Sequence, residues 1–499
     1  MLVLTGLSAL AQIINFSYRV VMARMVGAEV MGLYQLVMSA YAVIQAITTI
    51  GLTAALSNLT AQYLAVGDRV GADRLRGTCL GLFCCLMLPV GTVTILCSDA
   101  ISVYLLGDAR TRLGLILLIP CLTLTAVENL HKNAFYGAGN PIPPAAAEVW
   151  EQIVRAGAVL GLLAAFLPQY PERAVGLVMW GMILCEVSSA VTLWTLYQHY
   201  FGGKSAGMPG EHGKQRRRRI AAIALPVGAN ALLGNFLGAA NAALAPQQLV
   251  RGGMERSLAI SQLGVVCGMT MPMLALPTVY LGALNLVMMP KLARASALGR
   301  REEVRELISE GMERVCLLTV PCMTAMAVLG EELGRVLYGR EDVGTYLVPL
   351  AVAMGLNCCV SVLATALNSI GKQKTVACIS LAGGVVQLAF TCVLTALPGV
   401  GMGGYVTGVL VCAGLELALC LWAAVRGTGL KIAAGRWLLA PGLSALLAGL
   451  NGNLLLRVLK ANGTDGACSA GIVSVFALVQ YLAAYCILKK SKSAAADRV

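Results

Sequence analysis

Charged and amide side chains set inside apolar sequence are the residues of this chain that could do chemistry. Glu148, Glu151, Gln152 and Arg155 fall at i, i+3, i+4 and i+7, one stripe of a helix. Such a stripe cannot face hydrocarbon. Either it pairs within itself and holds helices together, or it forms the wall of a hydrophilic cavity. Glu128 and Asn129, in the preceding apolar segment, can face the same space. Glu186 and Glu416 each stand isolated in the middle of an apolar run, and two readings suit them: a protonated hydrogen-bond donor, or a site for a coupling ion. Arg19 lies inside the first apolar segment, with Arg24 about a turn and a half later; Arg251 and Arg256 precede a later segment. A charge at the bilayer centre costs about 2.5–3.5 kcal/mol on insertion scales, so Arg19 is expected to face a cavity. Arg24 either does the same or anchors the helix at the interface. Together, Arg19, Arg24, Arg155, Arg251 and Arg256 give the expected cavity a cationic character, and a guanidinium fork matches phosphate oxygens.

Catalytic arrangements are missing from the sequence. It has no Walker-type phosphate loop and no Ser/His/Asp set at usable spacing. His131, His199 and His212 are scattered, and there is no CxxC. The 17 cysteines lie mostly inside apolar runs, Cys84-Cys85 and Cys358-Cys359 among them, and read as small packing residues. No enzyme activity, metal or cofactor is therefore expected.

The elements that must position these residues follow from composition. Of 499 residues 58% are hydrophobic and 12% charged, against about 25% charged in a soluble domain. Apolar runs of twenty or more recur along the whole length, which defines an all-α polytopic membrane protein. The net charge of +13 marks cytoplasmic loops rather than nucleic-acid binding. Fourteen spans are predicted: 1–24, 31–58, 78–106, 113–136, 145–168, 174–200, 220–248, 258–289, 310–338, 344–369, 375–397, 402–425, 437–457 and 467–488. Lysine and arginine crowd the loops on one side if both termini are cytoplasmic, Lys132 being counted among them. The opening residues lack a basic n-region and read as a span, not a signal peptide. A cation-exporting cavity would show acids in spans one and seven, and neither has any.

The chain also repeats itself at an offset of 232 residues: Gly67 matches Gly299, Pro89 Pro321, Gly107 Gly339, Gly139 Gly371 and Gly176 Gly408. This divides it into a six-span lobe at 1–200, a basic linker at 201–219 ending in Arg216 to Arg219, a second six-span lobe at 220–425, and an appendage at 426–499 carrying the last two spans. Two lobes with an even number of spans enter the bilayer in the same orientation. The expected relation is a pseudo-two-fold axis along the membrane normal, with the working site between the lobes. Pro89 and Pro321 fall mid-span, where each removes a helical hydrogen bond.

These residues carry a resemblance. YRVVMARMVGAEVMGLYQL from Tyr18, Gly51-Leu52, Gly67-Asp68, FYGAGNP at 135–141, LPVGAN at 225–230 and LPTVYLGALNLVMMPKLARA at 276–295 are similar to the stage V sporulation protein B family. Its members are polysaccharide-biosynthesis membrane proteins, in the superfamily of multidrug exporters and lipid II flippases. The resemblance implies two six-helix lobes around a V-shaped cavity in the cytoplasmic membrane. It implies flipping of an undecaprenyl-pyrophosphate-linked saccharide, a lipid II-like peptidoglycan precursor used for spore cortex, with cavity arginines on the first helix. Arg19 and Arg24 match that pattern by position, and Arg251 or Arg256 supplies the second-lobe counterpart. Implied partners are the lipid-linked substrate, membrane lipids and peptidoglycan synthesis enzymes. Two alternatives stand beside the flippase: a cation-coupled drug or metabolite exporter, and a non-transporting scaffold for cell-wall enzymes.

Overall fold

The structure is a computed structural model, and it describes residues 2–201, 213–275, 278–433, 435–464 and 466–496. Among them every regular element is helical. Thirteen helices are long and apolar enough to cross a membrane. The first of these, Gly6–Ala65, runs for 60 residues, about 90 Å at the helical rise, three times the hydrocarbon thickness. It therefore accounts for two crossings. The break is Gly27, whose φ of 78° and ψ of 172° are non-helical, at the Gly27-Ala28-Glu29 turn that separates the first two predicted spans. That backbone region is open essentially to glycine alone.

Contacts divide the chain into two units, Met1–Gly264 and Val265–Val499. The first holds α1 (Leu2–Gln45), α2 (Gly51–Ala65), α3 (Arg69–Leu96), α4 (Arg112–Gly137), α5 (Ile142–Phe166), α6 (Ala174–Phe201), α7 (Gly213–Arg251) and α8 (Arg256–Leu263). A π-helical segment, Ala46–Ile50, joins α1 to α2. Asp68 caps α3 by accepting from the Gly71 N–H at 2.7 Å. Membrane helices gain little from hydrophobicity against one another and associate through close packing. Gly32 shows how close: a Cβ there would stand 2.1 Å from the Ile260 carbonyl oxygen, so α1 and α8 meet backbone to backbone. Of the predicted linker, residues 202–212 lie outside the described residues, and Arg216 to Arg219 form the opening turns of α7.

The second unit holds α9 (Thr278–Ala297), α10 (Arg301–Tyr338), α11 (Asp342–Ser369), α12 (Gln373–Val393), α13 (Met402–Thr428), α14 (Ala440–Ala461) and α15 (Gly466–Ala496). The predicted eighth span, 258–289, is not one helix: α8 gives way to a π-helical segment at Gly264–Thr270, a short helix at Met271–Ala275, and then α9. Val315, Val362, Leu363 and Leu367 are fully buried where α10 and α11 pack. The two appended helices lie against α10. Tyr481 donates to the Leu317 carbonyl at 2.9 Å and Tyr485 to Glu313 Oε1 at 3.1 Å. An apolar cavity of about 240 Å³ lies between α10, at Pro321, and α14 and α15.

Both repeated prolines lie inside helices, Pro89 in α3 and Pro321 in α10. Three repeated glycine pairs, Gly67 with Gly299, Gly107 with Gly339 and Gly139 with Gly371, adopt left-handed φ at both members.

Candidate functional site

Three helices of the first unit bring five charged side chains together. In α5, Glu151 and Arg155 are one turn apart and form an ion pair. Glu128 and Lys132 do the same in α4. Across the helices, Lys132 Nζ donates to Glu151 Oε2 at 2.9 Å and Arg155 Nη2 to Glu186 Oε1, on α6, at 3.2 Å. Arg155 Nη1 also reaches Gln152 Oε1 at 3.4 Å. The three carboxylate side chains are at most 8% exposed. One oxygen from each lies within 4.8 Å of the others, a spacing that a small cation can bridge, and here the Lys132 ammonium and Arg155 guanidinium stand among them. The count is three carboxyls against two cations. Glu186 Oε2 and Arg155 Nε are buried with no hydrogen-bond partner, so the network has unused capacity.

Of the sequence-derived stripe, Glu151, Gln152 and Arg155 thus join, and Glu128 and Glu186 join them from the neighbouring helices. Glu148 is half-buried and takes no part in these ion pairs. Glu416 is elsewhere, on α13, packed over Gly383 of α12 and 3.8 Å from the Cys412 thiol. Lys132 is a correction to the sequence reading. It is not a loop residue but a helical one, 14% exposed and bound to two acids. The Glu128-to-Lys132 spacing of four, with the acid first, was the signal for it.

Sequence reasoning also missed a second polar cluster. His131 Nδ1 donates to the Val127 carbonyl at 2.7 Å, so its Nε2 accepts from Arg76 Nη1 at 3.1 Å. Arg76 also lies over the Tyr197 ring, 4.3 Å from its centroid, and Tyr197 donates to Asp73 at 3.2 Å.

The remaining arginines fall in two other places. Arg251 and Arg256 line a cavity of about 300 Å³ with Gln247 and Gly107. Gln247 donates to the Leu105 carbonyl at 3.0 Å, and Arg256 Nε stands 3.7 Å from Asp108 Oδ2. Arg110 holds the same Asp108 through its guanidinium and its backbone N–H, and reaches Glu29 at 2.8 Å. Burial raises the Asp108 carboxyl, but these bonds more than reverse it and hold it below the usual carboxylate range. Arg19 and Arg24 both lie on α1, Arg19 half-buried and Arg24 exposed. Among the described residues Arg19 forms no ion pair. The five arginines therefore stand at three positions of one unit.

A chain of long apolar helices, several with prolines inside them and with ion pairs buried between them, is a polytopic membrane protein. Solved structures share the fold. The lipid II flippase MurJ in an inward closed conformation matches with a TM-score of 0.70 at 10% identity, over 98% of this chain and 99% of that one. An inward-facing multidrug resistance MATE family transporter matches with a TM-score of 0.69 at 14% identity, over 85% of this chain and 96% of that one. The family model described as polysaccharide biosynthesis protein matches residues 1–295, and the chain belongs to that family. Stage V sporulation protein B of Bacillus subtilis (strain 168) is 25% identical over 86% of this chain and 83% of its own length. Sporulation protein YkvU of the same organism is 21% identical over 80% and 88%.

Proposed function

We propose that the chain flips an undecaprenyl-pyrophosphate-linked saccharide across the cytoplasmic membrane by alternating access, with no chemical step. Two six-helix lobes, 1–200 and 220–425, move against each other, and both termini are cytoplasmic. The observation that carries this reading is Arg19: a guanidinium half-buried in an apolar helix, with no carboxylate paired to it among the described residues. A pyrophosphate headgroup supplies the missing charge in a geometry that fits the guanidinium fork. Arg24, Arg251 and Arg256 extend the cationic path. Membership of the polysaccharide biosynthesis family and the fold shared with a lipid II flippase support a lipid-linked substrate. The sporulation relatives support a setting in sporulation; in that setting the cargo is a peptidoglycan precursor for the spore cortex, with cell-wall enzymes as its consumers.

The Glu128, Glu151 and Glu186 group supports cation coupling. With only Lys132 and Arg155 to offset three acids, one carboxyl holds a proton or exchanges it for another cation. The same group favours a second reading, cation-coupled export of a drug or metabolite. Depletion separates the two: a flippase leaves lipid-linked precursor accumulating on the inner face, and an exporter does not.

The direct test is complementation of a flippase-deficient strain, with membrane levels checked by blot. Arg19→Ala is expected to abolish flipping while the protein still accumulates, and Arg19→Lys to keep part of the activity. Full complementation by Arg19→Ala at normal levels would remove Arg19 from the substrate path.

A further inference from the structure

The opening turns of α7 face in two directions. Arg216 Nε donates to Thr78 Oγ1 at 2.8 Å, and Arg219 reaches Gln62 Oε1 at 2.8 Å and the Tyr63 hydroxyl at 3.3 Å. These two arginines tie α7 to α2 and α3. Arg217 points elsewhere. It lies at one end of a cavity of about 530 Å³, and beyond it the α7 wall includes Ala221, Ala224, Leu225, Gly228, Ala229 and Leu232. Those positions recur every turn and make up one face of the helix. Segments of α2, α3 and the π-helical turn at Ala46–Ile50 complete the walls, and apart from Arg217 they are almost entirely apolar. The groove wall is open and the surface beyond it apolar: Leu225, in the wall, is 71% exposed, and Phe236, further along α7, 59%.

Length and charge name the occupant. Fifteen residues of helix separate Arg217 from Leu232, about 22 Å at 1.5 Å per residue. Half of a bilayer, headgroups included, is about 20–22 Å. The groove is thus one leaflet deep, with its only cation at headgroup level and its apolar floor ending near the midplane. We infer that it is a binding site for one anionic phospholipid of the leaflet on the Arg217 side. The phosphate is held by the Arg217 guanidinium and one acyl chain lies along that face of α7. This site is separate from the Arg19 path and does not depend on what the protein transports. Its effect is to fix α7 against α2 and α3 beside the point where Gly51 of α2 meets the Ala224 carbonyl, 2.3 Å from where a Cβ would stand.

The test uses the full chain, purified in mild detergent and equilibrated with phosphatidylglycerol or phosphatidylcholine, with retained lipid counted by native mass spectrometry. The wild type is expected to keep one phosphatidylglycerol in preference to phosphatidylcholine. Arg217→Gln should reduce that preference about fivefold, the effect of one basic residue at an anionic surface, and Arg217→Lys should restore most of it. Arg218→Gln removes the same charge from an exposed neighbour outside the groove and should leave the preference intact. Ala221→Phe, which fills the groove without touching charge, should displace the lipid. Equal retention of the two lipids by the wild type would overturn the inference. So would equal losses in Arg217→Gln and Arg218→Gln, which would mean diffuse surface charge. Displacement of phosphatidylglycerol by equimolar undecaprenyl phosphate would also overturn it, assigning the groove to a prenyl chain.

Discussion

Glu151 accepts from Lys132 on one side and Arg155 on the other, so removing its carboxyl takes a partner from two cations at once. Lys132 still has Glu128; Arg155 keeps only Glu186, at 3.2 Å. Leaving a buried charge without its partner costs on the order of 3 kcal/mol. Glu151→Ala should therefore lower the thermal unfolding temperature in detergent more than Glu151→Ala combined with Arg155→Ala, in which the stranded cation is gone. A double variant as unstable as the sum of the two singles would contradict this pairing. The Glu151–Arg155 pair was legible in the sequence because its two members are one turn apart on one helix. Glu186 as a partner was not, because only the packing of α5 on α6 creates that contact. Asp108 gives the pH-dependent case. Its carboxyl is held below its unfolded value, so the stability it contributes is present above about pH 4 and is lost as pH falls through the folded value. Asp108→Asn should destabilise the protein at pH 7. The gap from wild type should close under acid conditions, as thermal melts at both pH values would show.

Helix boundaries were readable wherever a long apolar run met glycine, proline or charge. The runs from 113 to 200 emerged as α4, α5 and α6 with ends within a few residues of the expected ones. The eighth span was not readable in this way. Its apolar sequence is continuous, and periodicity does not reveal a π-helical segment at Gly264–Thr270 or the new helix that starts at Thr278. Gly27 is where an element-level prediction is sharpest. A Cβ there would meet no atom within 4 Å, so any penalty comes from the backbone itself, at φ 78°. Gly27→Ala should cost about 1–3 kcal/mol and lower both melting temperature and yield. Gly6→Ala, inside α1 with equally open space around it, should be neutral or slightly stabilising. Equal behaviour of the two variants in detergent melts would mean that the break between the first two crossings does not depend on glycine.

Across the whole molecule, the glycine spacing at an offset of 232 marks helix ends, because chain reversals there need particular residues. Left-handed φ at three glycine pairs 232 residues apart gives that spacing a conformational reason. The distribution of arginines was not legible, because spacing along a chain does not say which helices pack side by side. Topology remains open to direct measurement. Lys214, Lys374, Ala109 and Thr464 are all exposed. Single cysteines introduced there, in a background lacking the native 17, should label from the cytoplasm at Lys214 and Lys374 and from outside at Ala109 and Thr464. Labelling of Lys214 and Ala109 from one side would refute the span count of the first half. The buried ion pairs also bear on biosynthesis. Helices α4 and α5 each carry an acid and a base one turn apart, and so reach the translocon with those charges already paired. Helix α6 does not, since Glu186 finds its cation only on α5. An unpaired charge opposes partitioning by about 2.5–3.5 kcal/mol. The sixth helix therefore gains from entering the lipid together with the fifth as a hairpin, and the ion pair that steadies the finished bundle also sets the order in which the ribosome's product can leave the channel.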